Sequence, residues 1–212
     1  MNKLQLIFVL INILLISNTF AVDYQCEIKG IKGEYCYVEN LQLTKGNSKI
    51  DPKAPTPTDI ERVYFNTGNK IPTLSSGICD AFANLERFYA WKSQVEEIQA
   101  DAFKECGKLE LLELGENKIK QVTPAMFNGL ANLEDLELYS NELTDLQVDD
   151  VVAKMPKLKG IWLADNDFKC SRLEEILTAL DNKKVTVYPE FFHPRPRSYT
   201  PEKRRGIHCI AD

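Results

Sequence analysis

The chain has 212 residues, a formal charge of −5 and 44% hydrophobic residues, enough for one domain with a substantial core. Acidic side chains outnumber basic ones by 31 to 26, which argues against a general nucleic-acid binder, because such a protein needs a net basic face. All six cysteines lie beyond residue 21. An even number of cysteines is typical of disulfides in an exported chain.

Residues 1–21 are predicted to be a signal peptide. Lys3 precedes an apolar run from Leu4 to Ile16, and Thr19-Phe20-Ala21 places small residues at both positions that a signal peptidase reads. A membrane anchor is the alternative, but about thirteen apolar residues fall short of the roughly twenty that a spanning helix needs. We therefore expect a secreted, extracellular product.

Residues 22–59 are predicted to form the amino-terminal end of the domain. Cys26 and Cys36 bracket a segment with two glycines, which suits a tight reversal closed by a local disulfide. A degenerate first strand is predicted at Val38, Leu41 and Leu43. The proline-rich stretch 44–59 that follows is predicted to be an irregular loop.

Residues 60–169 repeat one spacing of apolar side chains. The two clearest copies place leucines at 109, 112 and 114 and at 133, 136 and 138, followed by Asn117 and Asn141 respectively. Copies begin at residues 60, 85, 109, 133 and 158, a period of 24 or 25 that is typical of a solenoid. The asparagine position falls on Gly68 in the first copy, with Asn69 beside it, and on Ser93 in the second.

Each copy predicts one short strand and one turn. Two leucines two positions apart point to the same side of a strand, and an asparagine amide can hydrogen-bond the backbone of the turn after it. One coil cannot cover its own leucines, so the copies must stack.

The pattern L-x-x-L-x-L-x-x-N-x-L resembles the leucine-rich repeat family, and the loose repeats are similar to short secreted insect leucine-rich repeat proteins of the immune type. The resemblance implies an α/β solenoid. Its form would be a leucine-rich repeat horseshoe with short parallel concave strands, an irregular convex side and disulfide-bonded caps at both ends.

Cys79 lies six residues before the start at Leu85 and Cys106 three before the start at Leu109, so both are predicted to occupy inward-facing closing positions on adjacent coils. Adjacent coils are about 4.8 Å apart, which a disulfide can span, so we predict a bridge between them. Two buried free thiols are the alternative interpretation.

Residues 170–212 are predicted to form a carboxy-terminal cap. Ser171 and Glu174 fit a capping box, and the leucines and isoleucine at 173, 176, 177 and 180 have helical spacing. A short strand is expected near Val185 and Val187, and Cys170 is left to pair with Cys209 by elimination. The basic, proline-rich tail 189–205 is interpreted as a solvated loop, with a processing site or an anionic-surface contact as alternatives.

No catalytic motif with credible spacing is found, and we predict neither enzymatic activity, a cofactor nor a metal site. Glu113 and Glu137 are the only candidate pair for a hydrolase, and a surface pair is the favoured interpretation.

The strand positions that point away from the core predict a ligand-binding concave face. Five of its fifteen positions are Tyr or Trp against 9% aromatic residues in the whole chain, and all five are expected to face solvent. Tyr, Trp and Arg are enriched at binding hot spots. The predicted binding residues are Arg62, Tyr64, Arg87, Tyr89, Trp91, Glu113, Glu137, Tyr139 and Trp162. Basic residues, including Lys92, lie at the amino-terminal half and acidic ones, including Glu116 and Asp135, at the other.

We therefore predict a secreted, non-enzymatic binding module for an extracellular protein or glycan, with innate immune recognition as one role. A secreted inhibitor or effector of a partner protein is the alternative, and an extracellular matrix structural protein is a more distant one. Neither nucleic-acid binding nor membrane insertion is expected. The oligomeric state is left open between monomer and weak dimer.

Overall fold

The computed structural model describes residues 22–24, 27–29, 35–45, 50–52, 60–65, 68–189 and 202–212. The predicted signal peptide, the predicted Cys26 to Cys36 bridge and most of the loop at 44–59 lie outside these residues. Among the described helices, none has the length and apolar character needed to cross a membrane.

Short strands dominate the architecture. In chain order they are β1 Val22–Tyr24, β2 Glu27–Lys29, β3 Tyr35–Val38, β4 Ile50–Pro52, β5 Arg62–Phe65, β6 Thr73–Leu74, β7 Arg87–Tyr89, β8 Glu97–Ile98, β9 Leu111–Glu113, β10 Asp135–Glu137, β11 Gly160–Trp162, β12 Thr186–Tyr188, β13 Glu202–Arg204 and β14 Ile207–Cys209. The helices are α1 Ile78–Ala81, α2 Val148–Val152 and α3 Cys170–Asn182, with a 3-10 turn at Pro124–Phe127.

Eight strands form one sheet in the order β12-β11-β10-β9-β7-β5-β3-β2. All neighbours are parallel except β2 and β3, which are antiparallel. The repeat spacing sets the register, since Leu112 lies beside Phe88 on one side and Leu136 on the other. All three side chains are fully buried. The stacked coils therefore share one continuous core, which confirms the predicted solenoid with its parallel concave strands.

A ladder of buried asparagines connects the coils on the edge of the sheet. Asn117 accepts hydrogen bonds from the backbone of Ser93 and Val95 at 3.0 Å and donates to the carbonyl of Ala90 at 2.9 Å. Asn141 and Asn166 make equivalent bonds to the preceding coils. Each amide bonds backbone groups of the turns, including an N–H group that has no other acceptor among the described residues, so replacing it with leucine should cost stability.

The first two coils each differ from the sequence interpretation in one place. The strand of the first coil is Tyr35–Val38 rather than a segment through Leu41 and Leu43, because Val38 aligns with Phe65 as the second inward position of the strand. The amide of the next turn comes from Asn69 and not from the Gly68 position. Asn69 accepts from Leu41 N–H at 2.7 Å and donates to the Val38 carbonyl at 2.9 Å.

The loop prediction for 44–59 is wrong for its described part, since Ile50–Pro52 forms a parallel pair with Val22–Tyr24. These two strands, β1 and β4, form a separate two-stranded sheet beside the main one.

The carboxy-terminal cap is the helix α3 and the hairpin of β13 and β14. The helix buries Leu173, Ile176 and Leu177 against the last coil, as its spacing predicts. The predicted capping box is wrong, because the helix begins at Cys170 and Ser171 lies inside its first turn. Ser171 instead donates its N–H and hydroxyl to the carboxylate of Asp212.

The predicted strand near Val187 is present as β12 beside β11. The described end of the basic tail is held against helix α3. Arg205 forms ion pairs with Glu174 and Asp181 of α3.

Between described cysteines, two disulfides are present, and the sequence predicts both. Cys79 is bonded to Cys106 between adjacent coils, with α-carbons 5.1 Å apart. Cys170 is bonded to Cys209, which fastens the hairpin to the start of α3 with α-carbons 5.0 Å apart. The second bridge closes the exposed end of the solenoid.

A candidate binding surface on the concave face

One residue from each parallel strand forms a row across the middle of the concave face. The register aligns side chains that all point away from the core. In spatial order this central row is Tyr37, Tyr64, Tyr89, Glu113, Glu137, Trp162 and Tyr188. Neighbouring members are one strand spacing apart, about 4.8 Å. The row is therefore a continuous strip in which an acidic pair separates two aromatic groups.

The amino-terminal aromatic group is a stack of three tyrosines. The rings of Tyr37 and Tyr64 have centroids 4.7 Å apart at an interplanar angle of 7°. Tyr64 and Tyr89 are 4.5 Å apart at 3°. The strand spacing matches the thickness of stacked rings, so the sheet itself holds the tyrosines face to face. The two faces of Tyr64 are consequently covered, while its ring edge points into the groove.

The carboxy-terminal aromatic group is the pair Trp162 and Tyr188, with ring centroids 4.1 Å apart. Gly160, beside them on β11, leaves the space that this pair uses. A β-carbon there would lie 2.9 Å from the Tyr188 ring and 3.2 Å from the Trp162 ring. Tyr188 is 40% exposed, the largest exposure of a bulky hydrophobic side chain among the described residues.

The acidic pair between the stacks is more buried than the sequence suggests. Glu113 is only 6% exposed, so its interpretation as a surface residue is wrong. Its Oε1 accepts hydrogen bonds from Gly115 N–H at 2.9 Å and from the Tyr139 hydroxyl at 3.1 Å. Burial, reinforced by the charge of Glu137, raises the pKa of Glu113 to about 8.

Glu137 is half-buried on the next strand. Burial, followed by the neighbouring charge of Asp135, raises its pKa to about 7. Both carboxyl groups are therefore expected to titrate near neutral pH. This property distinguishes the middle of the row from the rest of the surface.

Tyr139 was expected to face solvent and is instead 3% exposed. The hydroxyl end of its ring lies over Gly115 on the neighbouring coil, where a β-carbon would come within 2.1 Å of the ring. The absence of a side chain at Gly115 lets the tyrosine fold down onto the sheet and reach Glu113. Tyr139 thus supports the acidic pair from the side rather than offering a contact surface.

The charge asymmetry predicted for the groove is weaker than the sequence implies. Glu116 accepts from the Trp91 indole N–H at 2.7 Å and pairs with Lys92 at 3.1 Å. The Lys92 ammonium also lies 4.5 Å from the centre of the Trp91 ring. These contacts neutralise two charges locally and hold the indole of Trp91 in place.

The two arginines of the row beside the tyrosine stack are engaged by tyrosines. Arg87 lies close to the Tyr89 hydroxyl, whose pKa is raised by burial and partly lowered by the arginine, and the Arg62 guanidinium lies 5.0 Å from the centre of the Tyr35 ring. Arg62 and Arg87 sit side by side on β5 and β7. The amino-terminal part of the face is therefore aromatic and cationic, and the middle is acidic.

Sequence reasoning missed three aromatic residues of this face, namely Tyr35, Tyr37 and Tyr188. Tyr35 packs edge-on against Tyr64 with centroids 6.5 Å apart. The first coil and the strand after the last repeat depart from the leucine pattern, so no column was assigned to them. The alternation of tyrosines around the buried Cys36 was the signal available for the first two.

The other grooves on the described surface have a different character. An open cavity of about 630 Å³ follows the asparagine turns and is lined by polar side chains such as Lys120, Glu142, Asp145 and Asp167. In the part of the chain that the structure describes, no three His, Cys, Asp or Glu side chains converge as a metal site would require. The central row is therefore the surface with the most distinctive chemistry.

Known proteins share this architecture. Residues 83–143 match the family model for the leucine rich repeat. Keratocan of Danio rerio is 29% identical over 188 residues, which cover 81% of this chain and 52% of keratocan. Toll-like receptor 2 type-2 of Gallus gallus is 27% identical over 104 residues, which cover 49% of this chain and 13% of the receptor. The chain thus spans about half the length of keratocan and a much smaller part of the receptor.

Solved structures agree with the sequence matches. The crystal structure of the LRIM1/APL1C complex superposes with a TM-score of 0.60 at 22% identity, covering 74% of this chain and 29% of that chain. This likeness concerns the fold, and the comparisons indicate no enzyme family. The matched repeat model, the in-register strands and the buried asparagine ladder agree: residues 83–143 carry leucine-rich repeats, and the chain is similar to leucine-rich repeat proteins in sequence and fold.

Proposed function

We propose that this protein is a secreted, non-enzymatic binding module that recognises an extracellular protein through the central row of its concave face. The observation that carries the proposal is the pair of aromatic stacks on either side of Glu113 and Glu137. Rigid aromatic side chains in a fixed array lose little conformational entropy on binding, which makes them effective anchors. Innate immune recognition is one role consistent with the relatives named above.

The geometry favours a protein over a glycan as the ligand. A sugar ring binds aromatic residues most effectively when it lies flat on an open ring face. Tyr64 has a tyrosine on each face, and Trp162 has Tyr188 on one face. The stacks offer the groove ring edges, hydroxyl groups and the single open faces of Tyr89 and Trp162, a combination that suits the mixed polar and apolar surface of a protein.

The test is capture from native extracellular fluid with the protein as bait. A variant with Tyr64, Tyr89 and Trp162 changed to alanine should lose a protein that the unchanged bait retains. The matched control changes Gln121, Asp150 and Lys157, which are exposed and lie away from the row. It should retain the same protein. Both variants must unfold at temperatures close to that of the unchanged chain.

If the aromatic variant captures the same proteins as the control, the central row is not the binding surface. If retained material is sensitive to glycosidase and not to protease, the ligand is a glycan and the protein assignment fails.

A further inference from the structure

The middle of the central row has the form of a gap between two ring faces. Tyr64 covers one face of Tyr89, and Tyr188 covers one face of Trp162. The opposite faces of Tyr89 and Trp162 point toward each other across Glu113 and Glu137. Three strand spacings separate these two rings, roughly 14 Å. The gap therefore has aromatic walls at its ends and carboxyl groups along its floor.

Among the described residues, neither carboxyl group of the floor forms an ion pair. Within the described residues, the Glu137 side chain has neither a hydrogen-bond partner nor an ion pair. Two nearby acids are engaged, since Glu116 pairs with Lys92 and Glu134 pairs with Lys159. A half-buried carboxylate is costly to leave without a partner, which makes this position complementary to a cation brought by a ligand.

We propose that this gap receives an arginine side chain presented by the partner protein. The inference rests on the proposed function and names the chemistry of its central contact. A guanidinium is planar, stacks on aromatic faces and donates two parallel hydrogen bonds to a carboxylate. Trp162 supplies the face and Glu137 supplies the carboxylate on the adjacent strand. A lysine ammonium would satisfy the charge without the flat stacking contact.

Proton exchange gives this contact a measurable signature. Burial keeps Glu113 and Glu137 partly protonated near neutral pH. A bound cation favours the ionised form, so binding releases protons and tightens as the pH rises from 6 to 8. The charged and titratable groups facing the pair from the neighbouring strands and turns are Arg87, Tyr89, Glu116, Asp135 and Tyr139. Of these, only the phenols are uncharged throughout that range, and the arginine stays positive.

The probe is the blocked tripeptide acetyl-Gly-Arg-Gly-amide, titrated calorimetrically at millimolar concentration against the whole protein. Its matched control carries citrulline, which keeps the shape of arginine and removes the charge. We expect saturable binding of the arginine peptide and binding of the citrulline peptide that is weaker by about tenfold or more, the factor for one lost charge-assisted contact. The lysine peptide should bind with intermediate affinity.

The site is assigned by two single variants. Glu137→Gln keeps the side-chain volume and should weaken the arginine peptide by about tenfold while flattening the pH dependence. Glu134→Gln, an acid of the same coil engaged with Lys159, should bind like the unchanged chain. Melting temperatures of all three proteins establish that they are folded.

The proposal is overturned by absence of saturable binding, by equal affinity for the citrulline peptide, or by an arginine site that Glu137→Gln leaves intact. These results are distinguishable from failure of the proposed function. If binding of the captured partner depends on Tyr64, Tyr89 and Trp162 but not on Glu137, the proposed binding surface is supported and only the arginine contact is ruled out.

Discussion

Replacement of Asn141 by leucine tests the physical basis of the stacked coils. The side chain is fully buried. It accepts from Ile119 N–H at 3.0 Å and donates to the carbonyls of Leu114, Leu138 and Tyr139 at 2.9, 3.1 and 3.2 Å. Leucine has a similar volume and none of these hydrogen bonds. The change therefore isolates the polar contribution from the packing contribution.

In Asn141→Leu, the Ile119 N–H is the backbone group that loses its hydrogen-bond partner. The three carbonyls each keep a second donor, from Asn117, Asn166 and Glu116 N–H respectively. The Ile119 N–H keeps no acceptor among the described groups. An orphaned buried donor costs about 1 to 3 kcal/mol, so the expected loss of stability is about 2 kcal/mol, with the weakened carbonyl contacts adding to it.

Urea denaturation followed by circular dichroism measures this loss. A chain of this size has an m-value of about 2 kcal/mol per molar urea, so the midpoint should fall by about 1 M with the slope unchanged. Asn132→Ala is the control, since the half-buried Asn132 makes one hydrogen bond to Gly107 at the surface. It should change stability by less than about 0.5 kcal/mol. A loss below about 0.3 kcal/mol for Asn141→Leu would refute the role of the asparagine ladder.

Three further predictions follow from the same structure. The raised pKa values of Glu113 and Glu137, about 8 and about 7, make the folded state bind more protons than the unfolded chain between about pH 4.5 and 8, so the contribution of these two groups to stability falls as the pH rises through that range. Urea midpoints of Glu113→Gln should lose most of this slope, and a slope equal to that of the unchanged chain would contradict the burial argument. Gly115→Ala places a methyl group against the Tyr139 ring and should cost about 1 to 3 kcal/mol in thermal unfolding, whereas a neutral change would show that the ring moves freely. A non-reducing peptide map should link Cys26 to Cys36, and finding either as a free thiol would refute the predicted amino-terminal bridge.

The sequence predicts the repeats well because their constraint is local and periodic. Leucines two positions apart, an asparagine three positions later and a period of 24 residues determine both the strands and their register. The Cys79 to Cys106 bridge was predictable from that register alone. The structure of the coils that depart from the pattern was not predictable in this way. The strand Tyr35–Val38 and the use of Asn69 in place of the Gly68 position depend on how the first coil fits its neighbour.

The layout of the concave face was predictable in outline and not in detail. Alternation along each strand identifies which side chains leave the core, as for Tyr64, Tyr89 and Trp162. It does not reveal that Tyr139 folds over Gly115 and buries Glu113, because that contact joins two coils through space. The helix cap was mispredicted for a similar reason. The hydrogen-bond partner of Ser171 is Asp212, which is distant in sequence, and not Glu174 of the predicted capping box.

The most direct test of the binding face is hydroxyl-radical footprinting of the complex with the partner captured from extracellular fluid. Trp162 and Tyr188 are oxidisable and accessible in the free protein. Partner binding should lower their oxidation severalfold and leave the exposed segment around Lys154 and Lys157, away from the row, unchanged. Protection of that segment with Trp162 and Tyr188 still fully oxidised would contradict recognition through the concave face.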